Sequence, residues 1–224
     1  MIIHHTLLPF ILTLSAIIVV FRFRRQLAGA ESGNTTLSAF LTGIACIVPY
    51  LIIIKICQYC GADNPYSIEK LLLFSFLVAL FTEAPKYLLL RAFLNYPKKK
   101  RNVWKCILMS VPFSTGFILI FLIVELLLYT HAGETSIRMY TAFGLAIVIG
   151  IISGFFIGME KTAGAKFIHP LLGITTSVIL NSITGISVYL KDYGLLIFFG
   201  AGLGLICLLL AYSAYLLRYD IETT

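Results

Sequence analysis

Charge is what this chain has least of. Asp, Glu, Lys and Arg together make up 12% of its 224 residues, and 59% are hydrophobic. A soluble domain carries roughly 25% charged residues, so a water-soluble fold is excluded for the chain as a whole. No stretch is polar and long enough for a separate soluble domain. Signatures of soluble chemistry are missing too: there is no phosphate-cradling loop, no His-Glu-x-x-His pair and no Ser-His-Asp arrangement. Cysteine offers little. Of Cys46, Cys57, Cys60, Cys106 and Cys207, only Cys57 and Cys60 lie close together. With no second pair and no nearby His, a structural role outweighs a metal or redox role, and an exposed disulfide is the remaining alternative. The start, Met-Ile-Ile-His-His, lacks a basic n-region, so no cleaved signal peptide is expected.

What the chain does have is apolar runs of membrane-crossing length. They predict an all-α, polytopic membrane helix bundle, one integral membrane domain over 1–224. Seven spans are expected, near 2–21, 37–56, 71–94, 107–130, 138–159, 167–190 and 193–217. Pro49 should kink the second. Expected inner loops hold Arg22, Arg24, Arg25, Lys98, Lys99, Lys100, Arg101, Lys105, Lys161, Lys166 and Arg218; expected outer ends hold Lys55, Lys70, Arg138 and Lys191. This asymmetry puts the amino terminus outside and the carboxyl terminus in the cytoplasm. Arg91 is expected to snorkel to the inner face. The net charge of +7 therefore reads as orientation, and no nucleic-acid partner is expected. His131 to Ile137 reads as an outer loop, Glu160 to Lys166 as an inner one.

Inside the spans, acids are rarer still. Of ten Asp and Glu residues, only Glu83 and Glu125 fall within an apolar run. A charge at that depth costs about 2.5–3.5 kcal/mol on insertion scales. Glu83 and Lys86 are three residues apart and share a helix face. They are either a buried ion pair that fixes packing or the wall of a wet cavity. Pro85 between them removes a backbone donor and should open the helix there. Glu125 is either a glutamate near the outer interface or a second wall of that cavity. Ser114, Thr115 and Gly116 permit close helix approach. The sixth span is the most polar, with Thr175, Thr176, Ser177, Asn181, Ser182 and Thr184. Asn181 stands out, because a buried amide wants a partner on another helix. His169, at the start of that span, is a weaker candidate. Gly150, Gly154 and Gly158, and again Gly200 and Gly204, read as packing seams.

These residues resemble the PrsW-like intramembrane proteases, a group related to the CAAX-processing proteases and to a membrane subunit of gamma-secretase. The family's Glu-Glu-x-x-Lys motif is matched by Thr82-Glu83-Ala84-Pro85-Lys86, with Thr in the first place. Its Phe-x-x-x-Glu motif is matched by Phe121 to Glu125, with Gly116, Phe117 and Tyr129 also alike. The next motif, a His before a glycine ladder, retains only the ladder, since Thr141 to Ile149 holds no His. In the last, Asn181 fits the second place and Ser177 stands where a His would. The resemblance covers about Leu71 to Asn181.

The resemblance implies an intramembrane endopeptidase acting on a membrane-anchored protein in a bacterial inner membrane. Glu83, Lys86, Glu125 and Asn181 would carry catalysis, with Ser177 and His169 as secondary candidates. Glu83 would be the general base, and Lys86 and Asn181 the oxyanion donors. With both family His residues missing, a divalent metal would have Glu83, Glu125 and little else, while zinc takes three protein ligands. No cofactor is expected. Two other classes stay open: an inactive relative serving as scaffold or substrate-binding subunit, and an ion-coupled carrier using Glu83 and Glu125 as a relay. The carrier reading lacks the repeated pair of broken helices that many carriers show.

Overall fold

A computed structural model describes residues 33–59, 67–95, 102–128, 132–163, 167–191 and 193–222, together with Ser15 and Ile18. These residues are helical throughout, apart from short turns, and no strand occurs among them. The helices are α1 (Gly33–Ala45), α2 (Ile47–Tyr59), α3 (Ile68–Asn95), α4 (Val103–Leu128), α5 (Ala132–Ala163), α6 (Ile168–Leu190) and α7 (Tyr193–Glu222). Among the described residues five stretches are long and apolar enough to cross a membrane: Thr35–Cys57, Ile68–Asn95, Val103–Val124, Thr141–Thr162 and Ile168–Leu190. The protein is thus a multi-pass helical membrane protein. In α7, which runs Tyr193–Glu222, the described apolar stretch is Gly200–Ala214. Of the expected first span, only Ser15 and Ile18 are described.

Several local expectations change. The second span is broken at Cys46, one turn before Pro49. Proline has no N–H to give the Ala45 carbonyl, and the turn closes instead with Cys46 N–H donating to Gly43 O at 3.1 Å. The Cys46 thiol donates to Thr42 O at 3.4 Å. Pro85, by contrast, does not interrupt α3, which runs unbroken for 28 residues. The expected outer loop 131–137 is helical from Ala132, and α5 persists to Ala163 at its other end. Lys191 ends α6 in the left-handed conformation (φ 56°), its N–H returning to Ser187 O and Val188 O.

Close backbone approaches set the helix directions. Gly43 and Gly116 meet, Gly43 against the carbonyl of Phe113 and Gly116 against that of Phe40. Further along, Tyr50 contacts Phe121 with ring centroids 5.1 Å apart, so α1 and α2 run parallel to α4. The glycine ladder of α5 lies antiparallel on α4: Gly150 against Ser114, Gly154 against Ser110 and Gly158 against Val103. That seam is as expected. Gly200 and Gly204 differ, with nothing among the described residues within 4 Å of a Cβ placed there.

Helix α6 lies antiparallel on α3, pairing Ser75 with Gly185 and Tyr87 with Gly173. One core cluster joins Tyr87, Leu90 and Leu94 of α3 and Met109, Phe113 and Phe117 of α4 with Ala39 of α1 and Ile47, Tyr50 and Ile54 of α2. At one end α3 is fastened to α5. Arg91 makes two hydrogen bonds to Glu160, Nε to Oε2 at 2.8 Å and Nη2 to Oε1. Lys161 Nζ donates to Leu94 O at 2.7 Å. Arg91 therefore pairs with an acid within the protein, where snorkelling alone was expected.

Candidate functional site

The antiparallel register of α3 and α6 brings the polar positions of the two spans level. Glu83 is 2% exposed and Lys86 5%. Both lie on the buried stripe of α3 with Thr82, Tyr87 and Leu90. Three residues bring a helix almost one full turn round, so the two side chains meet: Lys86 Nζ is 2.7 Å from Glu83 Oε1 and 2.6 Å from Oε2. Asn181 reaches across from α6 and donates Nδ2–H to Glu83 Oε1 at 3.0 Å. Helix α4 closes the group with Phe117, whose ring centroid lies 4.6 Å from Lys86 Nζ. The ring's negative face attracts the ammonium, and more strongly once water is excluded.

Each charged atom is therefore matched. Glu83 Oε1 accepts two hydrogen bonds, and Oε2 faces Lys86 alone among the described residues. Removing either charge would leave the other buried and unpaired, which costs about 3–5 kcal/mol. Thr82 is absorbed locally, its hydroxyl donating to Val78 O at 2.6 Å.

The other candidates divide. Ser177 is fully buried one turn from Asn181 and donates to Gly173 O at 2.8 Å. Its oxygen lies 3.4 Å from that of Ser153 on α5. A hydroxyl has one proton; with that of Ser177 on Gly173, Ser153 is the donor between them. Ser177 thus joins α6 to α5 and is not held against Glu83. His169 lies in the first turn of α6, twelve residues before Asn181, or about 18 Å along the helix. The register sets it level with Arg91, away from Glu83. The backbone at Glu125 belongs to α4, eight residues past Phe117, and its side chain lies outside the described residues. Cys57 is buried, and Cys60 lies outside the described residues. Among the described residues no three His, Cys, Asp or Glu side chains gather as a metal would require.

Sequence reading missed three participants. Phe117 was noticed only as part of a motif, with nothing to show that its ring covers Lys86. Ser153 sits inside the glycine ladder and passes for a small packing residue. Tyr87 follows Glu83 by four residues and so shares its face, a spacing that could have flagged it. Compared with known proteins, the chain matches no protein-family model, no curated protein and no solved structure.

Proposed function

We propose that the chain is a PrsW-like intramembrane protease that cuts a membrane-anchored protein, with Glu83 as the general base. The observation that carries this reading is the hydrogen bond between Glu83 and Asn181. They match two separate motifs of the resemblance, lie 98 residues apart and meet at 3.0 Å. In the proposed step, water at Glu83 gives a proton to Oε2 while its oxygen attacks the scissile carbonyl carbon. The carbonyl electrons move to the carbonyl oxygen, and Lys86 and Asn181 supply the donors that the oxyanion needs. The proton then passes from Glu83 to the departing nitrogen as the C–N bond breaks. The resemblance implies Glu125 as a second carboxylate, and the step uses no metal.

The test is cleavage of a membrane-anchored reporter by the purified full-length chain in lipid nanodiscs. Glu83→Gln should abolish cleavage, and a mutant that still cleaves at the normal rate ends the proposal.

A second reading is favoured by one specific observation: Glu83 is 2% exposed, with both carboxylate oxygens engaged. A closed ion pair of this kind also serves a non-catalytic membrane subunit, in which the cluster fixes helix packing for a partner. Stoichiometric copurification with another membrane protein supports that reading. A lone monomer in native membranes counts against it.

A further inference from the structure

The face of α3 that carries Glu83 continues at four-residue steps through Tyr87 to Arg91. On the facing side of α6 the matching steps are Asn181, Ser177 and Gly173. Helix α5 adds Ser153 beside Ser177 and Glu160 beside Arg91. Together they form one polar file through the apolar bundle, from the Arg91–Glu160 pair to Glu83. Arg91 and Glu83 are eight residues apart, a rise of about 12 Å. At the Arg91 end the file opens, because the Arg91 side chain is 32% exposed.

One member of the file is unmatched. Tyr87 is 2% exposed, and its hydroxyl has no hydrogen-bond partner among the described residues. A buried hydroxyl left unsatisfied costs about 1–3 kcal/mol. Polar groups in that condition are where buried water is found. The hydroxyl lies against Gly173, where a Cβ would stand 2.8 Å from it and 2.5 Å from the ring carbon Cε2. Any side chain at residue 173 would overlap the Tyr87 ring and force it and its hydroxyl to shift. Ser177 and Ser153, in the next turn, offer further oxygen atoms along the same line.

We propose that this file holds internal water anchored on the Tyr87 hydroxyl, and that it is the route by which water reaches Glu83 from the Arg91 end of the bundle. The use of that water as a reactant rests on the hydrolytic reading above; its presence does not.

Hydroxyl radicals generated by X-rays from bound water oxidise the side chains next to it. The full-length chain in lipid nanodiscs is irradiated, and oxidation is read residue by residue by mass spectrometry. Tyr50, 7% exposed and packed on Phe121, is the reference tyrosine. Tyr87 should oxidise faster than Tyr50, and Gly173→Ala should bring it down toward the Tyr50 rate. A wild-type Tyr87 as slow as Tyr50 overturns the proposal, whether or not the variant folds. Cleavage is scored separately. An oxidised Tyr87 without cleavage keeps the water file and removes the hydrolytic reading; cleavage with a dry Tyr87 removes the file alone.

Discussion

Asn181 and Lys86 share one acceptor, Oε1 of Glu83, although Asn181 comes from a helix 98 residues away. The carboxylate is therefore the point at which α3 and α6 are joined by something other than apolar contact. In a bilayer, where helix association has little hydrophobic drive, such a bond contributes to how the helices are held.

The charges of the cluster should be interdependent. Glu83→Gln or Lys86→Met alone should destabilise the protein by about 3–5 kcal/mol, since each leaves its partner buried and unpaired. The double variant should recover much of that loss. Thermal unfolding of all four proteins in one detergent measures the coupling. Simple additivity would mean that the pair does not act as a unit.

Asn181 should matter less, and its replacements should rank. Asn181→Ala removes one interhelical hydrogen bond, worth about 0.6–2 kcal/mol in membrane proteins. Asn181→Asp should be worse than Ala, because it sets a second carboxylate against Glu83. The same unfolding assay checks the order, and an Asp variant more stable than Ala contradicts the assigned contact.

The bridge between Arg91 and Glu160 is partly exposed, with side chains 32% and 11% accessible. Solvent screening limits its worth, so a double-mutant cycle on Arg91→Ala and Glu160→Ala should give a coupling of about 1 kcal/mol. It should shrink at high salt. A coupling unaffected by salt would indicate a dry pair.

Glycines should separate by location. Gly43→Ala has no room beside Phe113 and should cost about 1–3 kcal/mol. Gly200→Ala meets nothing among the described residues within 4 Å, so helix propensity should make it neutral or stabilising by up to about 1 kcal/mol. Unfolding midpoints of the two variants test this, and equal losses would refute the close approach of α1 and α4.

The α3 and α6 spans were legible almost to the residue: 71–94 was read and Ile68–Asn95 found, 167–190 read and Ile168–Leu190 found. Both are bounded by polar residues that cannot enter hydrocarbon, and that boundary is written locally. The start of α5 was misread. Its first turns carry Gly133, Glu134, Thr135 and Ser136, which look like a loop although the helix already runs through them. Polar composition marks where the membrane ends, not where the helix does.

The pairing of Glu83 with Lys86 could be read from the sequence, since three residues on one helix fix a shared face. So could the need of Asn181 for a partner. That its partner is Glu83, that Ser177 turns to Ser153, and that Arg91 finds Glu160 could not be read. Those contacts depend on which helices are neighbours and on their vertical register. In this bundle the approach of Gly43 to Phe113, of Gly150 to Ser114 and of Gly173 to Tyr87 sets both. The sequence by itself determined that the chain is helical, lies in a membrane and buries a glutamate beside a lysine, because apolar run length and helical spacing are local quantities. Only the tertiary structure decided what that glutamate meets, because contact between distant segments is a property of packing geometry that no single span encodes.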